Sequence, residues 1–340
     1  KYKRCLDEGK TERECVKLTI QMAEAAGYRE LKTVLAEGAP LKAGDKVYAA
    51  CMEKMIALFH MGEEPISAGM NILGAHIDSP RIDIKQNPLY EDGGFALLDT
   101  HYYGGIKKYQ WVTIPLALHG VVVKKDGSVV EINLGEEDNE PKFVITDILP
   151  HLGAEQGKRT LSDGIRGEEL NILVGSRAFK NGEGSELVKL NILNILYEKY
   201  GITEDDFLSA ELEAVPAFKA KDVGFDRSMI GAYGHDDRVC AYPALMAILN
   251  AKNLKNVTFN DGLTYIGAEA FLGCKALENV TLPDTLHDIA TAAFKDAGIK
   301  VLKTGNGLAK INSNAFAGNV SLTDVTLGAN VEKLGDFLWC

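Results

Sequence analysis

Two short stretches carry side chains whose types and spacing suit chemistry. The first is His76-Ile77-Asp78-Ser79-Pro80-Arg81, within Asn71 to Asp83. On an extended backbone, residues two apart share a face. One ring nitrogen of His76 can therefore bind a metal while Asp78 accepts the other ring N–H and fixes the tautomer. A solvated His-x-Asp at a strand end has the same spacing, and the bare motif does not separate the two. The second stretch is His235-Asp236-Asp237-Arg238, which follows the flexible Gly231-Ala232-Tyr233-Gly234 and runs into an apolar helix. Carboxylates there can ligate a metal, or simply answer the orphan N–H groups and the dipole of the helix. A dinuclear metal hydrolase needs a His or carboxylate on each metal, a bridging carboxylate and a general base. His76 with Asp78, and Asp236, could supply the first part of such a set.

The elements around these residues must place them. The apolar run Ile72-Leu73-Gly74-Ala75 predicts a strand buried on both faces. His76 would then sit just beyond its carboxyl end, where ligands gather in open α/β sheets. Earlier, Thr11-Glu12-Arg13-Glu14 is a capping box opening a helix that runs to Gly27. Residues 46–50 and 54–59 read as paired strands. After Asp83, Asn87-Pro88-Leu89 and Glu91-Asp92-Gly93-Gly94 are turn material. Residues 113–123, 128–134 and 142–148 follow as β segments, the first two joined by a bend at Lys125-Asp126-Gly127. A helix runs from a Ser185 N-cap to Tyr200, closed by Gly201, with Leu187, Leu190, Leu193 and Leu196 as its core stripe. Residues 210–215 return as a strand to the first domain, and an apolar helix spans 239–249. This order predicts an α/β domain carrying a β-rich insertion.

A length of 340 residues suggests two or three domains, and 46% hydrophobic with 25% charged residues is ordinary for a chain with a real core. The net charge of −11 argues against nucleic acid or an anionic membrane surface as partner. Cys5, Cys15, Cys51, Cys240, Cys274 and Cys340 form no C-x-x-C pair, so reduced thiols are expected. The longest apolar stretch, residues 112–123, is broken by Pro115 and His119 and is too short to span a bilayer. No signal peptide is visible and the first residue is not Met, which suggests a processed or missing start.

From Leu254 onward a different rule holds. Leu254-x-x-Val257-x-Phe259, Leu277-x-x-Val280-x-Leu282 and Leu322-x-x-Val325-x-Leu327 share one template. Ile266, Ile289 and Ile311, 23 and 22 residues apart, are each followed five residues later by Phe271, Phe294 and Phe316. That period lies in the leucine-rich-repeat range. A fourth unit begins at Val331 and Leu334 and stops at Cys340, which suggests a cut in mid-repeat.

The segments GAHIDSPRIDIKQNPLYEDG, THYYGGIKKYQW, EELNILVGSRAFK and VGFDRSMIGAYGHDDRVCAY resemble the aspartyl aminopeptidase family of zinc exopeptidases, over roughly residues 2–249. The resemblance implies that His76 is a zinc ligand oriented by Asp78, and that Asp236 bridges two zinc ions. It also implies that the β-rich insertion serves homo-oligomer assembly. The Pro150-His151-Leu152 stretch resembles the place where the family offers a His to a neighbouring subunit's active site, a substrate-binding role for His151. The family continues after the Asp-Asp-Arg helix with a Glu-Glu pair, a further Asp and a late His. Here Glu63-Glu64, Glu136-Glu137 and Glu168-Glu169 all precede Asp236, and the only later His is His287, at a freely varying repeat position. At most a partial zinc site is therefore expected. The last 90 residues resemble the bacterial cell-surface type of leucine-rich repeat, a family of protein-binding repeats.

The expected organisation is a partial metallopeptidase domain over 1–86 and 225–250, an inserted β-rich domain over 87–224, and a short leucine-rich-repeat solenoid over 251–340. Three functions follow. One is a zinc aminopeptidase removing acidic N-terminal residues from peptides, impaired by the missing half of its site. Another is a protein-binding repeat module on an inactive scaffold. The third is an artefactual fusion of two genes near residue 250. The peptidase resemblance implies a cytoplasmic location.

Overall fold

Helix α1 (Tyr2–Glu8) leads into α2 (Glu12–Ala25), whose capping box forms as the sequence predicts. The Thr11 hydroxyl accepts the Glu14 N–H at 3.3 Å, and the Glu14 carboxylate accepts the Thr11 N–H at 3.1 Å. The computed structural model describes all residues except 39, 63–65, 67–69, 252–255, 260, 276 and 339–340, and only the backbone of 256–258. The chain divides into two units. One comprises Lys1–Pro40, Lys46–Phe59 and Gly74–Leu249; the other comprises Leu41–Asp45, His60–Leu73 and Asn250–Cys340.

After α2 come β1 (Arg29–Glu30), α3 (Leu31–Ala36), β2 (Lys46–Cys51) and β3 (Met55–His60), with the strands in a three-stranded sheet of order β1-β2-β3. The expected strand at residues 71–75 does not form: residues 70–80 are irregular, and Ile72 and Leu73 are 79% and 61% exposed. A strand exists only where a neighbour answers its N–H and C=O groups. Among the described residues none pairs with this segment, so the regular structure starts later.

It starts at β4 (Arg81–Asp92), followed by β5 (Phe95–Tyr103), β6 (Leu116–Val123), β7 (Val129–Leu134), β8 (Ile172–Gly175), α4 (Leu187–Tyr200) and β9 (Ala210–Pro216). The six strands make one antiparallel sheet of order β7-β6-β9-β4-β5-β8. β4 thus runs through residue 86, and β9 lies inside this sheet between β6 and β4 rather than returning to another. Gly93 and Gly94, with φ of 56° and 80°, form the tight turn from β4 to β5, both residues left-handed as that turn demands. Asn87-Pro88 is not a turn but a bulge inside β4, where the register to β5 shifts between Ile84 and Leu89. Of residues 142–148, only Phe143, Val144 and Ile145 pair, as single bridges.

The core of this sheet gathers Ile82, Leu116, Ile145, Leu170, Ile172 and Ala214. Helix α4 covers it with Val188, Ile192, Leu193 and Leu196, while Leu190 is exposed, so the buried stripe is rotated from the expected leucine row. Ser185 does not cap α4 either: the N-cap is Glu186 and its side chain makes no capping bond. The orphan N–H groups of Val188 and Lys189 instead donate to Oε2 of Glu91, at 2.8 and 3.0 Å. A carboxylate from β4 answers both the donors and the dipole. β10 (Lys221–Val223) and β11 (Met229–Gly231) then form a two-stranded ribbon, and α5 (His235–Asn250) follows.

In the second unit the repeats build two parallel ladders. One joins β12 (Asn256–Thr258), β14 (Asn279–Thr281), β16 (Val301–Lys303) and β18 (Asp324–Thr326). The other joins β13 (Tyr265–Ile266), β15 (Asp288–Ile289), β17 (Lys310–Ile311) and β19 (Lys333–Leu334). Ile266, Ile289, Ile311 and Leu334 stand in register. Phe271, Phe294 and Phe316 stack with ring centroids 4.8 and 5.1 Å apart, so each unit buries its apolar side chains against the next. Buried Asn319 is satisfied, donating to the Phe294 and Phe316 carbonyls and accepting from the Ile299 N–H. Leu254 and Cys340 lie outside the described residues.

Candidate metal centre

The irregular segment ahead of β4 and the start of α5 bring three ligand-type side chains together. Nε2 of His76 lies 3.3 Å from Oδ1 of Asp236 and 3.9 Å from Oδ2 of Asp237. One donor atom from each of the three lies within 4.8 Å of the others. Nδ1 of His76 is 3.1 Å from Oδ1 of Asp78 and 3.0 Å from the Asp78 carbonyl. Both Asp78 atoms are acceptors, so Nδ1–H can donate to them, and in that tautomer the lone pair of Nε2 faces the Asp236 and Asp237 side as a metal ligand. Imidazole nitrogen with two carboxylate oxygens is a donor set that suits zinc. An open group of three fits a partial site.

Three contacts tie the two segments to each other. The Ser79 hydroxyl donates to the Asp236 carbonyl at 2.6 Å, and the Tyr233 hydroxyl donates to the Pro80 carbonyl at 3.0 Å. Buried Arg238 donates to the Ile77 carbonyl at 3.4 Å, the Lys10 carbonyl at 2.9 Å and Sγ of Cys15 at 3.1 Å. Gly234 has φ of +84°, and a Cβ there would lie 1.7 Å from Nη1 of Arg238, so the guanidinium occupies the space of a side chain. Asp236 and Asp237 have non-helical backbone angles inside α5, which turns their carboxylates out of the helical path.

The charges are matched. Burial pulls the His76 imidazole down, but the Asp78 carbonyl and carboxylate, with Asp237 beyond, outweigh it and hold the pKa above the ordinary histidine value. For Asp78, burial is outweighed by the Tyr103 hydroxyl, its own backbone and His76, and the carboxyl stays below its usual range. An open cleft of about 380 Å³ lies beside Asp236, lined by Ser79, Pro80, Lys107, Trp111 and Tyr233 among others.

The structure therefore brings His76, Asp78 and Asp236 into one place. His151 is not part of it: it lies in an exposed turn. His287 lies in the repeats with Nδ1 at 3.0 Å from the Gly307 carbonyl. His235, beside the carboxylates in sequence, points elsewhere: Nε2 meets the Ile230 carbonyl and Nδ1 meets the Tyr2 hydroxyl, both at 3.0 Å. Asp237 and Tyr103 are additions. Asp237 could have been found by its adjacency to Asp236. Tyr103 lies within THYYGG, but no spacing rule connects it to Asp78.

Comparison with known proteins finds two families in the chain, with overlapping matches. A family described as aminopeptidase I zinc metalloprotease (M18) matches residues 5–266, and six copies of a BspA-type leucine-rich repeat match residues 247–339. The probable M18 family aminopeptidase 1 of Clostridium acetobutylicum is 58% identical over 255 residues, which are 75% of this chain and 55% of that protein. The chain thus spans about half the length of the curated relatives it matches. The crystal structure of the Thermotoga maritima M18 aminopeptidase is 47% identical with a TM-score of 0.70, over 74% of this chain and 54% of that one. Aminopeptidase I from Clostridium acetobutylicum gives 52% and 0.69, over 74% and 56%. A more distant structure, the S. cerevesiae mApe1 dodecamer, shares the fold at 16% identity and a TM-score of 0.54, over 73% of this chain and 54% of that one.

Proposed function

We propose that this chain, which belongs to the M18 family of aminopeptidase I zinc metalloproteases, carries one half of an aminopeptidase metal site and is impaired in hydrolysis as it stands. The observation that carries this is the meeting of His76, Asp236 and Asp237, with Asp78 behind the histidine. His76, Asp236 and Asp237 would hold zinc, which when bound supplies a Lewis acid and lowers the pKa of a coordinated water. The chain's own residues do the rest that is present. Asp78 keeps the proton on Nδ1 so that Nε2 faces the carboxylates, and the cleft beside Asp236 admits the end of a peptide. No adjacent Glu pair follows Asp236 in the sequence, so the general base expected of the family has no counterpart there.

The substrates in this reading are peptides with acidic N-terminal residues, a preference that rests on the family resemblance and fits the Lys107 cation in the cleft lining. Residues 1–86 and 225–250 would form the partial catalytic portion and 87–224 the inserted portion that assembles copies of the chain, with His151 reaching a neighbour's site. The related mApe1 is a dodecamer by its description. The cytoplasm is the compartment this reading implies; no described helix is long and apolar enough to cross a membrane. A second reading, a protein-binding repeat module on a pseudoenzyme scaffold, is favoured by the repeats having their own apolar core.

The experiment is hydrolysis of aspartyl and glutamyl anilides by the purified chain with added zinc, beside binding of candidate proteins to it. Turnover at background would support the impaired reading. Rates within tenfold of a full-length relative would refute it.

A further inference from the structure

Asp78 has two carboxylate oxygens, and the structure gives each a different partner. Oδ1 faces Nδ1 of His76 at 3.1 Å, and Oδ2 accepts the Tyr103 hydroxyl at 2.9 Å. Asp78 lies on the irregular segment before β4, where no strand ladder restrains it. A carboxylate in that setting turns freely about its terminal torsion unless a second donor fixes it. Tyr103 is such a donor, and it comes from a rigid element. It is the last residue of β5, directly opposite Arg81 in the β4–β5 register.

The Tyr103 ring is itself held. The Arg81 guanidinium lies 4.1 Å from its centroid, a cation–π distance. Arg81 is buried and clamped: it donates to Glu12 and to Asp83, both at 2.8 Å, and its Nε lies 3.2 Å from Glu213. A continuous chain of contacts thus runs from the sheet through Arg81 and Tyr103 to Asp78 and His76.

From this we propose that Tyr103 is a positioning residue: its hydroxyl locks the Asp78 carboxylate so that His76 keeps its proton on Nδ1 and presents Nε2 toward Asp236 and Asp237. Its purpose rests on the reading that these residues hold a divalent cation. A tyrosine present only to stack on Arg81 would need its ring and not its hydroxyl, and Tyr103→Phe separates the two. Outer partners of metal ligands typically change affinity by about 10- to 100-fold when removed.

The test is zinc binding by calorimetry to the full chain and to Tyr103→Phe, with thermal melting of the metal-free proteins and ¹⁵N NMR of the neutral His76 ring. We expect zinc to bind about tenfold more weakly to Tyr103→Phe, an unchanged melting midpoint, and a His76 population shifted from Nδ1–H toward Nε2–H. Equal zinc affinity in both proteins, or an unshifted His76 tautomer, would overturn the proposal. Absence of zinc binding in the unaltered chain would overturn the metal reading instead. The tautomer, measured without metal, would then decide the role of Tyr103 alone.

Discussion

Nε2 of His76 lies 3.3 Å from Oδ1 of Asp236, although the two residues are 160 apart in the sequence. Beside the Ser79 and Tyr233 hydroxyls, Arg238, two residues after Asp236, holds them by reaching back to the Ile77 carbonyl next to His76. The geometry of the candidate centre therefore depends in part on a buried arginine that touches no ligand atom.

That dependence can be tested at Gly234. A Cβ there meets Nη1 of Arg238 at 1.7 Å on a backbone with φ of +84°. Gly234→Ala should displace the guanidinium and cost about 2–4 kcal/mol, from combined backbone strain and loss of buried hydrogen bonds. Urea unfolding would show the loss, and zinc affinity should fall with it. A variant as stable as the parent would mean the arginine is not wedged there.

A pH-dependent contribution sits at the joint between α2 and the large sheet. Buried His119 lies 2.7 Å from Glu14 and 3.1 Å from Glu136, and Lys10 lies 2.7 Å from Glu136. Burial pulls the His119 imidazole down, but its bonds to Glu136 and Glu14 push it up to about 9. A raised pKa stabilises fully below the unfolded value, roughly 6.5, and that stability is lost as pH rises through about 9. Glu14 and Glu136 are lowered, so their share is present above their ordinary range and lost in acid. His119→Gln should therefore be most destabilising near pH 6, by about 3 kcal/mol, and least above pH 9 or so. Glu213 is pushed up to about 8 by burial and by Glu12, so it too favours the fold at lower pH. The difference in melting midpoint between parent and variant isolates His119 from it. A difference that stays flat across this range would refute the assignment.

Helix α4 takes its cap from another element. Glu91→Ala removes the acceptor for the Val188 and Lys189 N–H groups. The expected cost is about 1–2 kcal/mol, with faster hydrogen exchange confined to the first turn of α4. Protection unchanged at those two amides would show that water or another group caps the helix.

Phe294 is fully buried in the repeats and stacked between Phe271 and Phe316. Phe294→Ala should cost about 3–5 kcal/mol, enough to abolish a cooperative transition from so short a solenoid. Circular dichroism melting of the full chain, with loss of one of its transitions, would show this.

The sequence was most readable where a local rule suffices. The capping box at Thr11, the Gly93-Gly94 turn region and the repeat period are all written within a few residues, and each forms. His76, Asp78 and Asp236 were legible as chemistry from residue type and family resemblance, and the structure brings them together. Less legible was whatever depends on a distant partner. The run at Ile72 has strand composition, but pairing is a property of two segments and its partner is missing among the described residues. Ser185 has the residue type of an N-cap, yet Glu91 from another element wins because it reaches two donors at once. Of the Leu187 to Leu196 row, Leu193 and Leu196 pack on the sheet while Leu190 is exposed, since apolar side chains on more than one face of this helix give periodicity little to distinguish. Tyr103 carries no local signature for its bond to Asp78, because cross-strand register put it opposite Arg81.

On the proposed reading, His76, Asp236 and Asp237 offer one half of a zinc site. Elemental analysis of the chain dialysed against micromolar zinc tests this most directly, with His76→Ala and Asp236→Asn beside it. No more than one zinc per chain, lost in both variants, is expected. Two tightly held zinc ions per chain, or one that survives both substitutions, would contradict it.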